Sequence, residues 1–205
     1  MDLRDLEAKQ LDGLREVANI GAGHAATALS QLTNRRITID VPEVSVVKLE
    51  DIGHVVGEPD EIVSAVLMKI LGDVTGRTVQ VFPGKTASRL TGMLLGKPDP
   101  EFPEGFGELE QSTLKEVGNI IVGAYLNALS EFMGMLLIMS VPALAIDMAG
   151  AVLATSYINF GDTNDYVFCV DVKMNMEGSG ELPAHFLLIP DRASLKVLLR
   201  SLRLI

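Results

Sequence analysis

The feature that most constrains this chain is its similarity to itself. Shifted by 100 residues, segment 12–31 is identical to 112–131 at nine of twenty positions, where ordinary composition gives about one match by chance. The shared residues are Leu14, Glu16, Val17, Asn19, Ile20, Gly23, Ala28, Leu29 and Ser30, matched by Leu114, Glu116, Val117, Asn119, Ile120, Gly123, Ala128, Leu129 and Ser130. Val41-Pro42 and Val141-Pro142 keep the same register, and FPGKTASRL around Pro83 returns with altered spacing as IPDRASLKV around Pro190. Such self-similarity implies one domain, 1–205, made of two homologous halves, about 1–100 and 101–205, joined by the Pro/Gly-rich linker 96–108.

Each half carries the same run of local signals. A long helix comes first, over about Asp5–Leu32 and Leu109–Phe132. Alternating β-branched strands follow, ITIDVPEVSVVKL in one half and LLIMSVPALAIDM in the other. Then come two strands joined by a turn, VSAVLMKIL–GDVTGR–TVQVF and DYVFCVDVKM–NMEGSG–ELPAHFLLI. A short helix closes each half, over about Thr86–Leu95 and Ala193–Leu202. The pattern predicts an α+β fold of two pseudo-twofold-related halves. Its sheet strands are mostly antiparallel and drawn from both halves, with the two long helices on one face.

Charge narrows the range of partners. Seventeen basic residues against 27 acidic ones leave a net charge of −10, and so acidic a surface repels phosphate backbones and anionic lipid. Nucleic acid and membrane are therefore excluded as expected partners. Hydrophobic residues make up 48% of the chain, which excludes disorder. Cys169 is the only cysteine, so neither a disulfide framework nor a cysteine-based zinc site is expected. The start, MDLRDLEAKQ, lacks a basic n-region and an apolar h-region, so the expected location is cytoplasmic.

One stretch, Met133–Ala154, has Asp147 as its only charge and is long enough to raise the question of a membrane span. Pro142 lies near its middle, and Gly134, Ser140 and Gly150 interrupt it. It also occupies the place that RRITIDVPEVSVVKLEDI holds in the first half. The expectation is two buried strands joined by a bend.

Projection of the first helix at 100° per residue puts Leu14, Val17, Gly21, Ala25, Ala28 and Leu32 on an inward stripe. Asp12, Glu16, Asn19, Gly23 and Ser30 fall on the other side. The second helix repeats this, with Leu114, Val117, Ile121, Tyr125, Ala128 and Phe132 inward and Ser112, Glu116, Asn119, Gly123 and Ser130 outward. A carboxylate and an amide three residues apart are neighbours on a helix surface, and here the pair occurs twice in one register. The outward positions match between the halves better than the inward ones do. Asn and Gly also weaken a helix interior. Together these choices point to a surface built for close approach by another macromolecule.

The spacing Asp12-x3-Glu16-x2-Asn19-x22-Pro42, repeated as Ser112-x3-Glu116-x2-Asn119-x22-Pro142, resembles the [DS]-x3-E-x2-N-x22-P signature of the CheC/CheX/FliY phosphatases. These act on the phosphorylated chemotaxis response regulator CheY, and the resemblance covers essentially the whole chain. It implies hydrolysis of the regulator's aspartyl phosphate, with the necessary Mg²⁺ held by the regulator and no cofactor in this chain. Asn19 and Asn119 would position the attacking water, and Glu16 and Glu116 would anchor the regulator through the lysine beside its phosphorylated aspartate. Asp12 and Ser112 would cap or orient the motif, while Pro42 and Pro142 would set the path of the strand after the helix. The resemblance also implies the receptor deamidase CheD as a second partner. The rival reading is a non-catalytic binding module, since related flagellar-switch domains bind the regulator without hydrolysing it.

Other motifs carry less. Gly21-Ala22-Gly23-His24-Ala25-Ala26 matches a dinucleotide fingerprint but lies mid-helix. Gly84-Lys85-Thr86 lacks the first glycine of a P-loop, where Val79 stands, and reads as the turn into a helix. His24, His54 and His185 lie at no metal-ligand spacing from one another or from Cys169, which reads as a small core residue. Asp162–Asp165 hints at a calcium loop, but Lys173 occupies the place of its closing glutamate.

Overall fold

The computed structural model describes residues 8–48, 51–158, 166–177 and 180–201. The calcium-loop resemblance at 162–165 lies outside them. Fourteen elements follow in order: α1 (Ala8–Thr33), β1 (Ile37–Asp40), β2 (Val44–Lys48), α2 (Ile52–Val56), β3 (Ile62–Gly72), β4 (Gly76–Pro83), α3 (Gly84–Leu95), α4 (Glu108–Met133), β5 (Leu137–Met139), β6 (Ala143–Met148), α5 (Ala149–Ile158), β7 (Tyr166–Met176), β8 (Gly180–Pro190) and α6 (Arg192–Ser201).

Among the described residues eight strands join one antiparallel sheet of order β1-β7-β8-β4-β3-β5, in which β2 also pairs with β7 and β6 with β3. Its centre is the β4·β8 pair, with Gly76 opposite Pro190 and Val81 opposite His185. Strands cross between the two sequence segments. The β1–β2 pair completes the late β7–β8 hairpin, and β5–β6 complete the early β3–β4 hairpin. Neither hairpin therefore has its outer neighbour close in sequence.

The two faces of the sheet bury different cores. Val66, Met68, Phe82, Phe168, Met174 and Phe186 point to the side covered by α1, α3, α4 and α6. Val63, Val79, Val167 and Leu187 point to the other side, closed by Ile52 and Val56 of α2 and by Val152 and Leu153 of α5. The alternation along β7 gives each face every second side chain, as a strand must.

The long helices begin and end for local reasons. Glu108 and Glu110 sit in the first turn of α4, where carboxylates oppose the positive helix terminus. Each long helix stops at a left-handed residue in the same position, Asn34 (φ 52°) after α1 and Gly134 (φ 64°) after α4. In the last turn of α1 Ser30 Oγ accepts a hydrogen bond from the Ile37 amide at 3.0 Å and donates to the Ala26 carbonyl at 2.7 Å. Ser130 Oγ donates to the Met135 carbonyl. Ser30 thus ties its helix to the first residue of β1, and Ser130 ties its helix to the connection leading into β5.

Several expectations change in detail. Residues 149–154 are the first part of α5 rather than strand, and α2 is a helix where the sequence signals none, because each is short and mostly apolar and so carries little helical period. β5 and β6 are edge strands rather than buried ones, with Ile138 and Met148 about half exposed and Val141 between them 87% exposed. No helix of the described residues is long and apolar enough to cross a membrane. The 96–108 segment is packed rather than loose: Phe102 meets Phe106 edge-on at 4.9 Å, and Arg89 holds Asp99 at 2.8 Å.

Candidate functional site

α1 and α4 lie side by side on the sheet and run antiparallel. Gly21 of α1 touches Tyr125 of α4, while Leu32 at the end of α1 shares a groove with Ser112 near the start of α4. Leu14, Val17, Gly21 and Ala25 are buried on the first helix, as are Leu114, Val117, Ile121, Tyr125 and Ala128 on the second. Tyr125 continues the contact into the sheet by stacking on Phe186 at 4.9 Å. This buried stripe fixes the rotation of each helix and therefore the direction of its opposite face.

That opposite face carries Glu16 and Asn19 on α1, and Glu116 and Asn119 on α4. Glu16, Asn19 and Glu116 are exposed and Asn119 is half-buried. One helical turn separates each glutamate from its asparagine, so carboxylate and amide project side by side. Among the described residues no side-chain hydrogen bond or ion pair engages any of the four. Their polar atoms are available to a partner, and the i, i+3 spacing holds them on a rigid element.

The remaining motif residues divide by environment. Asp12 and Ser112 are exposed inside their helices. α4 takes Gly107 as its N-cap, so Ser112 does not cap it. Pro42 and Pro142 lie in the three-residue connections β1–β2 and β5–β6, off the helical face, where proline's fixed φ suits a break between edge strands.

The outward stripe is narrower than its periodicity predicts. Gly23 is exposed with open space where a Cβ would project, whereas Gly123 is buried and a Cβ there would lie 3.2 Å from Met139 Cε. The sequence places both outside, but the long Met139 side chain covers the second. Ser30 and Ser130 belong to the helix–strand ties. Leu32 and Phe132, expected inward, are 60% and 54% exposed, because the buried stripe ends before the last turn of each helix.

Other residues at the site were missed. Ile20 is 43% exposed beside Asn19, an apolar side chain on the same open side of the helix. Next to Glu116 and Ser112 a groove of about 350 Å³ opens, walled by Leu32 and Thr33 of α1 and by Leu94 and Leu95 of α3. Only the antiparallel packing of α1 on α4 brings that α1 end to Glu116. Among the described residues, no three metal-type donors converge at Glu16 or Glu116. The face offers carboxylate, amide and apolar groups side by side on rigid helices.

Residues 10–46 and 109–146, the segments that carry the two Glu/Asn pairs, match the CheC-like family. Over 199 residues the chain is 33% identical to the CheY-P phosphatase CheC of Bacillus subtilis, covering 96% of this chain and 95% of that protein. The chain belongs to the CheC-like family. Among solved structures it resembles Thermotoga maritima FliY, with a TM-score of 0.74 and 24% identity over 97% of this chain and 98% of that one. It also resembles the structure of the CheX–CheY–BeF3–Mg²⁺ complex of Borrelia burgdorferi, with a TM-score of 0.52 and 18% identity over 82% and 95% of the two chains. These two likenesses show the α+β fold.

Proposed function

We propose that this CheC-like chain is a phosphatase of phosphorylated CheY, with one site on each long helix. The observation that carries the reading is the Glu16/Asn19 pair and its counterpart Glu116/Asn119, outward on rigid helices and engaged by nothing else among the described residues. The kinship with a CheY-P phosphatase over nearly the whole chain supports it, as does the assembly of a fold neighbour, CheX, with CheY.

The reaction asks little covalent chemistry of the enzyme. Water attacks phosphorus in line, the new P–O bond forms as the acyl–phosphate bond breaks, and the regulator's aspartate leaves as a carboxylate. Both protons of the water stay with the inorganic phosphate, released as dihydrogen phosphate. Asn19 or Asn119 accepts a hydrogen bond from the water through its amide oxygen and fixes its approach. An amide is not a strong base, so its part is positioning. Glu16 and Glu116 anchor the regulator through a lysine beside the phosphorylated aspartate. The regulator's own Mg²⁺ neutralises the phosphoryl oxygens, so this chain needs no metal for the step. Ile20 and the Leu32/Leu94 groove add apolar contact around the two pairs. CheD is a second partner on this reading, and the setting is cytoplasmic.

The test is loss of the phosphoryl group from phosphorylated CheY, with wild-type protein and with the folded Asn19→Ala/Asn119→Ala variant. Removing a positioned hydrogen-bonding group costs on the order of 10²-fold in rate. Wild type should accelerate the decay and the double variant should not. Equal decay with and without wild-type protein would leave a non-catalytic regulator-binding module as the better reading.

A further inference from the structure

On the sheet face remote from α1 and α4, the fold brings together three residues that the sequence keeps apart. Asp171 of β7 stands directly opposite His185 of β8, and His185 Nδ1 lies 2.9 Å from Asp171 Oδ1. Cys169, two residues earlier on the same side of β7, puts its Sγ 3.9 Å from that oxygen. One thiol, one imidazole nitrogen and one carboxylate oxygen all lie within 4.8 Å of one another. No spacing rule could find this set, because His185 arrives through strand pairing.

The geometry points to a divalent-cation site formed by Cys169, Asp171 and His185, of the donor chemistry that takes Zn²⁺. Tetrahedral zinc with bonds of about 2.0–2.3 Å places its donors about 3.3–3.6 Å apart. The carboxylate oxygen lies 2.9 Å from the imidazole nitrogen and 3.9 Å from the sulfur, on either side of that range, and all three donors fall within 4.8 Å of one another. Sulfur, imidazole and carboxylate together suit zinc rather than calcium or magnesium. Three protein ligands leave the fourth position to water. Cys169 is buried, but the His185 and Asp171 side chains are 17% and 35% exposed, so a cation enters from their side.

A neighbouring part of the sheet supplies an internal control. In the β3–β4 hairpin, Leu67 stands opposite Val79 and Ala143, as Asp171 stands opposite His185 and takes the Glu43 carbonyl on its amide. Ala65 precedes Leu67 as Cys169 precedes Asp171. The same architecture is therefore content with Ala65, Leu67, Val79 and Ala143, and packing does not require the polar set. Burial foremost, then the charges of Asp171 and Glu43, holds the Cys169 thiol protonated by raising its pKa. A bound cation reverses that balance and displaces the thiol proton to solvent.

The experiment is Zn²⁺ titration of the full chain against a chromogenic chelator, with Co²⁺ as a spectroscopic stand-in. Wild type should bind one Zn²⁺ per chain with release of a proton, and Co²⁺ should give a thiolate-to-metal charge-transfer band. Cys169→Ala should lose that band and bind zinc about 100-fold or more weakly, since even supporting groups around a metal are worth 10–100-fold. The triple variant Cys169→Ala/Asp171→Leu/His185→Val copies the first hairpin, and its metal-free melting temperature reports whether it folds. Absence of binding in wild type, Co²⁺ binding without a thiolate band, or unchanged affinity in the folded triple variant would each overturn the site.

Discussion

Gly21 of α1 lies so close to Tyr125 of α4 that a Cβ on the glycine would fall 2.6 Å from the tyrosine ring and 2.8 Å from its Cα. The two helices approach through this missing side chain, and the bulk the contact needs comes from the tyrosine. Alanine is intrinsically the better helix former by about 1 kcal/mol. Here it meets backbone, which cannot rotate away. Gly21→Ala is expected to destabilise by about 1–3 kcal/mol, read as a lower urea midpoint at unchanged m-value.

Gly23, two residues on, makes the opposite case. A Cβ there meets nothing within 4 Å, so Gly23→Ala should stabilise the fold by up to about 1 kcal/mol. If the face receives the regulator, the same change should slow CheY-P dephosphorylation. Thermal melting and the phosphatase assay on one sample separate the two effects. A variant more stable and equally active would remove Gly23 from the docking surface.

Charge reversal of the two glutamates tests the anchoring role. Glu16→Lys/Glu116→Lys leaves the exposed positions folded but turns attraction for a lysine into repulsion. Regulator affinity should fall by about tenfold or more at low salt, with the difference narrowing as salt screens the pairs. Binding measured at two ionic strengths checks both the size and the salt dependence.

Ser30 illustrates a shared residue whose work is structural. Its hydroxyl takes the Ile37 amide at 3.0 Å, and Ser30→Ala leaves that amide without its partner. The expected cost is about 1–2 kcal/mol of stability, with activity per folded molecule unchanged. A loss of specific activity beyond the unfolded fraction would place Ser30 in the site after all.

Asp191 gives a pH prediction. It precedes α6 and accepts the Ser194 amide at 2.8 Å, and also the Thr75 hydroxyl. Burial pushes its pKa up, but the hydrogen bonds from Thr75, Ser194 and Ala193 outweigh this and the net shift is downward from 3.8. A depressed carboxylate contributes stability that is fully present above its unfolded pKa, near 4, and is lost as pH falls through the lower folded value. Asp191→Ala should cost about 1–2 kcal/mol at neutral pH, and the gap to wild type should close on acidification below pH ~4 in urea titrations.

What the sequence determined by itself was everything encoded within a few residues. The 3.6-residue period set the inner stripe of each long helix, and the i, i+3 spacing put Glu16 with Asn19 and Glu116 with Asn119. Turn residues marked both hairpins, and the antiparallel α+β class followed. Tertiary structure decided what depends on distant partners. It sent β1 and β2 to β7 rather than to β3, covered Gly123 with Met139, exposed Leu32 beside Glu116, and set His185 against Cys169 and Asp171. The physical reason is that a backbone period records which way a side chain points, whereas strand pairing and helix docking choose what it meets. Those choices are made by burial summed over the whole chain, and no local pattern contains that sum.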